Sequence, residues 1–127
     1  MVDKLPLAGC RVLVIEDEYF IADELNRALV EHGADVIGPI ADLETALNQV
    51  RHGGFEVAIV DLNLWNEMAY AVADELQRQD VPFVFATGND QSMIPPRFAA
   101  VKRWEKPFDE RHLVADVERL CSAARAS

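Results

Sequence analysis

The chain has 127 residues, half of them apolar and about a quarter charged, as expected of one globular domain that buries a core without disulfides or a structural metal. A net charge of −10 excludes nucleic acid as a ligand, because phosphate backbones demand a basic surface; protein partners with basic or apolar docking patches fit better. No run reaches the roughly 18 apolar residues of a membrane span, and Met1 to Pro6 lacks the apolar core of a signal peptide, so a cytoplasmic location and no membrane partner are expected.

Strand and helix patterns alternate along the chain, the signature of a doubly wound sheet. The first strand is Arg11 to Ile15. A helix follows from about Glu18 to His32, with Ile21, Leu25, Ala28 and Leu29 on one apolar stripe and Gly33 as its stop. The second strand is Asp35 to Gly38, ended by Pro39. The next helix starts near Asp42, a plausible N-cap, and closes at Gly53 and Gly54. The third strand, Phe55 to Asp61, shows no polar alternation and reads as central and buried on both faces. A third helix spans roughly Met68 to Gln79, and the fourth strand is Pro82 to Ala86. Pro95 and Pro96 forbid a long helix in the fourth crossover, so Gln91 to Phe98 is expected as a short helical turn or a mobile loop. A short apolar run near Val101 and Trp104 precedes a last helix from Asp109 to about Ala124, with Leu113, Val117, Leu120, Cys121 and Ala124 in register. Cys10 and Cys121 have no metal or catalytic spacing and are expected as two reduced, semi-buried thiols. The chain reads as a single domain over residues 1–127, with no output domain after the last helix.

Four of the five strands lead to residues suited to phosphate or metal chemistry. The first runs into Glu16 and Asp17, the third ends on Asp61, the fourth leads to Thr87, and the fifth to Lys106 and Pro107. Ligands of an open parallel sheet bind at the carboxyl ends of its strands, so these side chains converge. Two carboxylates about 4 Å apart repel by roughly 4 kcal/mol at an effective dielectric near 20, which a bound cation relieves. Magnesium, an oxygen-seeking octahedral ion, suits the set. Asp61 is the candidate nucleophile, since a carboxylate attacking phosphorus forms an acyl phosphate. Thr87 is placed to donate its hydroxyl to a phosphoryl oxygen, Gly88 leaves room for the phosphodonor, and Lys106 is a flexible charge that Pro107 helps to direct inward. Glu16 and Asp17 as mere helix caps, Asp61 as a turn residue, and Thr87 as an ordinary strand end are the plainer readings. His32, His52 and His112 flank helix stops or lie within a helix and have no catalytic setting.

The runs Val12 to Glu18, Ala58 to Leu64, Phe85 to Gly88 and Glu105 to Phe108 together resemble the receiver domain of bacterial two-component response regulators over nearly the whole chain. The resemblance implies a flavodoxin-like α/β fold, a parallel five-stranded sheet of order 2-1-3-4-5 with the fourth helix short or mobile. It also implies that Asp61 accepts phosphate from the phosphohistidine of a sensor histidine kinase or a histidine phosphotransfer protein. Asp17 would ligate Mg2+ directly, Glu16 largely through water and Asn63 through its backbone carbonyl, with Asp61 also among the metal residues. Thr87 and Lys106 would bind the phosphoryl group. Pro82-Phe-Val-Phe-Ala-Thr-Gly88 looks like a subgroup of single-domain receivers bearing a Pro-Phe-x-Phe-Ala-Thr-Gly motif. Arg103 stands where typical receivers have a switch aromatic, with Trp104 one residue later, and Asn89 replaces the subgroup's usual tyrosine. The implied protein is a signalling phosphoacceptor rather than an enzyme, and it signals through contact with a downstream protein. Ile94, Phe98 and Trp104 are candidate anchors for that partner or core residues. A degenerate receiver acting as an unphosphorylated scaffold is the alternative. A small aspartyl phosphatase fits poorly, for no second acid lies two residues after Asp61.

Overall fold

The structure, a computed structural model, describes residues 5–62, 67–87, 94–105 and 108–126. Strands β1 (Arg11–Ile15), β2 (Asp35–Ile40), β3 (Val57–Asp61), β4 (Phe83–Thr87) and β5 (Arg103–Glu105) form one parallel sheet of order β2-β1-β3-β4-β5. Among the described residues four helices cover it: α1 (Tyr19–Glu31), α2 (Leu43–His52), α3 (Glu67–Arg78) and α4 (Glu110–Ala126).

The period of two along each strand sorts the core. Val12, Val14, Val57, Ile59, Val84 and Ala86 pack with Leu25 and Leu29 of α1 and Leu113 and Val117 of α4. Leu13, Ile15, Ala58, Val60, Phe83 and Phe85 face the other way, against Ala46 and Val50 of α2 and Val72, Ala73 and Leu76 of α3. With helices on both faces, β3 and β4 are buried along their full length, which is why they lack polar alternation. The helix ends follow local chemistry. Asp42 Oδ1 accepts from the Thr45 amide at 2.8 Å and caps α2. His32 ends α1, its ring Nδ1 2.8 Å from the Ala28 carbonyl oxygen. Gly33 follows at φ +100°, a conformation L-residues avoid.

Two expectations change, for the end of β2 and for the cysteines, and the short helical turn of the fourth crossover is met. Strand β2 does not stop at Pro39 but runs to Ile40, through a cis Gly38–Pro39 bond and a bulge that sets Val14 of β1 against Gly38 and Pro39 of β2. As an edge strand, β2 tolerates a residue with no amide to donate. The fourth crossover contains a 3-10 turn at Pro96–Phe98; Gln91 to Met93, the first part of the expected turn or loop, lie outside the described residues. Cys10 and Cys121 are not separate thiols but a disulfide. The pairing follows from packing: Cys10 precedes β1, Cys121 lies in the buried stripe of α4, and α4 crosses that face so that the two Cα atoms stand 6.3 Å apart, within bridging distance. No helix among the described residues is long and apolar enough to cross a membrane.

Candidate functional site

Strand register builds the site. Ile15 pairs with Val60, so the next residues along, Glu16 and Asp61, emerge side by side at the carboxyl edge of the sheet. Asp61 pairs with Ala86, and the Leu62 amide donates to the Ala86 carbonyl at 2.9 Å, which brings Thr87 up beside the acids. Thr87 in turn pairs with Glu105, the residue before Lys106. Apolar strands carry these polar residues to a place where Glu16, Asp61 and Thr87 are each only 2% exposed.

One carboxylate oxygen from each of Glu16, Asp17 and Asp61 lies within 4.8 Å of the others, with Asp17 on the solvent side. At that spacing Glu16 and Asp61, both buried, repel on the order of 3 kcal/mol if both are charged. Part of the Glu16 charge is met locally, for its Oε2 accepts from the Glu18 amide at 3.1 Å at the entrance to α1. That amide belongs to the N-cap residue itself, so the bond closes a local turn before α1 and does not cap the helix's first turn. An octahedral Mg2+ with oxygens at about 2.1 Å spaces its ligands by about 3–4 Å, so small inward rotations of these three carboxylates suit the ion, and hard oxygen donors are its chemical preference.

Glu16, Asp17 and Asp61 are thus brought together, and Thr87 stands at the adjoining strand end. Asn63, Gly88, Lys106 and Pro107 lie outside the described residues. Phe98 and Trp104 take the core role of the two considered for them. Phe98 stacks on Tyr70 with ring centroids 5.7 Å apart and meets the edge of Phe85 at 5.5 Å. Trp104 is buried against Phe108, and its indole N–H donates to Asp116 Oδ2 at 2.8 Å. Ile94 is partly buried against the same core as Phe98. Around Phe98 the turn is tied to α3: Arg97 forms two hydrogen bonds to Asp74, at 2.7 and 3.1 Å, and its guanidinium lies 4.6 Å from the Phe98 ring centre.

Two clusters escaped the sequence reading. Lys102 Nζ (3.0 Å), the Trp104 indole and Arg119 all donate to the Asp116 carboxylate, in a groove between β5 and α4 lined also by Arg103, Phe108 and His112. At the opposite end of the sheet, Glu56 accepts from Arg125 at 2.8 and 3.2 Å and from the Arg11 amide at 3.2 Å. The Arg125 hydrogen bonds hold the Glu56 carboxyl below its usual range, against a smaller opposing effect of burial. Asp116 faces inward from the otherwise apolar side of α4, and that misplaced charge was the available signal for a buried partner. Arg125 and Glu56 carried none.

The sequence matches the family model of the response regulator receiver domain over residues 12–118. Among solved structures, a sensor protein from Polaromonas sp. JS666 is 28% identical over 91% of this chain and 98% of its own, with a TM-score of 0.77. SdrG from Pseudomonas melonis Fr1, solved in its BeF3-activated conformation, is 32% identical over 89% of this chain and 98% of its own, with a TM-score of 0.68. A response regulator receiver protein from Burkholderia phymatum, at 18% identity over 90% and 96% of the two chains and a TM-score of 0.77, shares the fold. No curated protein matches the chain.

Proposed function

The chain belongs to the response regulator receiver domain family, and from that premise we propose that Asp61 is the phosphoacceptor of a two-component signalling module. The observation that carries the proposal is the gathering of the Glu16, Asp17 and Asp61 oxygens within 4.8 Å at the end of adjacent parallel strands. An Asp61 oxygen attacks the phosphorus of a phosphohistidine on a sensor kinase or phosphotransfer protein. The P–O bond forms as the P–N bond breaks, and the imidazole nitrogen keeps the electron pair. Asp17, Asp61 and the Asn63 carbonyl, with Glu16 largely through water, would hold Mg2+, which would supply positive charge to offset that of the acids and the phosphoryl group. Thr87 donates its hydroxyl to a phosphoryl oxygen and Lys106 supplies a positive charge to another.

Phosphorylation adds roughly −1.5 to −2 charges and three acceptor oxygens at Asp61, drawing Thr87 and Lys106 toward it and moving the loops that follow β4 and β5. The burial of Trp104 and its bond to Asp116 support a switch that works without rotating that ring. They accord with Arg103 at the usual aromatic position and with placement among the Pro-Phe-x-Phe-Ala-Thr-Gly receivers. Signalling then passes to a downstream protein by contact.

The test is a phosphotransfer assay with a donor kinase or acetyl phosphate in the presence of Mg2+. Wild-type protein should take up an alkali-labile label, and Asp61→Asn should take up none. A folded wild-type protein that stays unlabelled by competent donors, yet still binds partners, would be an unphosphorylated scaffold instead.

A further inference from the structure

The cysteine pair lies far from Asp61, at the amino-terminal edge of the sheet. Cys10 and Cys121 are 111 residues apart in sequence, both nearly fully buried, and they join the entrance of β1 to α4. Glu56, just before β3, stands beside them: one atom each of Cys10, Glu56 and Cys121 falls within 4.8 Å of the others. Three chain segments therefore meet at a pair of sulfurs next to an anchored carboxylate.

We propose that Cys10 and Cys121 form a reversible thiol–disulfide site, closed by low-molecular-weight disulfides and opened by low-molecular-weight thiols, which sets how firmly α4 is held on the sheet. Two features make both states tenable. The fold does not rest on the bridge, because a chain of 127 residues with core on both sheet faces is large enough to fold without one. A reduced cysteine is also a small apolar side chain, and both sulfurs already sit among Leu7, Val57 and Val117 of the core. The open form gains a partner as well. Cys121 Sγ lies 3.8 Å from Glu56 Oε1, a plain contact while the sulfur has no hydrogen and a hydrogen bond once the thiol can donate. The Arg125 and Arg11 bonds to Glu56 keep that acceptor in place in either state and guide the helix back for reclosure.

The exchange balances. One cysteine thiolate attacks a sulfur of a disulfide RSSR and releases a thiolate, RS−, leaving a mixed disulfide. The second cysteine, as thiolate, attacks the protein-side sulfur of that mixed disulfide and expels another RS−. Two electrons pass from the cysteine pair to RSSR, and the two protons lost from the thiols are taken up by the departing RS− groups.

Glutathione buffers, from fully reduced to fully oxidised, provide the test on the whole chain. Samples are quenched with an alkylating agent and weighed intact, and thermal unfolding is recorded in the same buffers. Native wild-type protein should pass from two alkylated thiols to none in a single two-electron transition without retaining glutathione. The closed form should melt roughly 10 °C or more above the open form, as expected for a long bridged loop. Amide exchange in α4 should be faster in the open form. Thiols that stay alkylatable in every buffer, a bond that resists excess dithiothreitol under native conditions, a stable glutathione adduct, or a reduced wild-type protein that unfolds would each overturn the proposal. Cys121→Ser should show no redox-dependent melting; should it fail to fold, the wild-type titration decides alone.

Discussion

Asp116 shows how one side chain is held charged where burial opposes it. Its carboxylate is nearly enclosed, and burial alone would raise its pKa, yet hydrogen bonds from Lys102, Trp104 and Arg119 together outweigh burial and hold it below its ordinary 3.8. A carboxyl with a lowered native pKa contributes stability that is fully present above its unfolded value and is lost as pH falls through the native one. Lys102 and Arg119 are more than half exposed, so water screens their share, and the buried Trp104 N–H is the least screened partner. Asp116→Asn should cost about 1–2 kcal/mol at pH 7, and the gap from wild type should narrow as pH drops below about 4. Urea unfolding of both proteins from pH 7 to pH 3 measures it; a gap that stays constant would mean that the carboxylate charge contributes nothing.

Among the elements, β2 controls how the first acid is presented. Its bulge carries the strand past Pro39, and the Ile40 carbonyl then accepts from the Glu16 amide at 3.0 Å. Gly38 makes the turn at φ +106°, where an added Cβ would lie 2.6 Å from the Val14 carbonyl oxygen and 2.9 Å from the Ile40 nitrogen. Both obstacles are backbone, so relief requires moving β1 or β2. Gly38→Ala should lose about 2–4 kcal/mol, whereas Gly53→Ala, at φ +82° with nothing within 4 Å, should lose about 1 kcal/mol from backbone strain alone. Equilibrium denaturation of the two variants ranks them, and equal losses would rule out the close approach as the cause.

At the scale of the whole molecule, the sheet concentrates negative charge at one edge of a chain that is already at −10. A cation that binds only the folded protein shifts unfolding by mass action. Millimolar Mg2+ should raise the melting temperature by roughly 3–6 °C at concentrations well above its dissociation constant. Asp17→Asn should shrink that rise without weakening the ion-free protein, since Asp17 faces solvent and its charge opposes those of Glu16 and Asp61. Melting curves with Mg2+ and with chelator test this. An undiminished rise in Asp17→Asn would remove that residue from the ion's ligands.

The alternation of strands and helices, the buried character of β3, the N-cap at Asp42 and the stop at Gly33 were legible in the sequence, because periodicity, capping and glycine conformation are properties of a few adjacent residues. The strand-end position of Glu16, Asp17 and Asp61 was legible for the same reason, once parallel strands were inferred. Tertiary structure alone decided which distant residues meet. Cys10 and Cys121 are 111 positions apart and Glu56 and Arg125 are 69 apart, separations that no local pattern encodes. It also decided that Phe98 and Trp104 turn inward, because an aromatic side chain that caps a core and one that protrudes look alike in sequence until the opposing helix is in place.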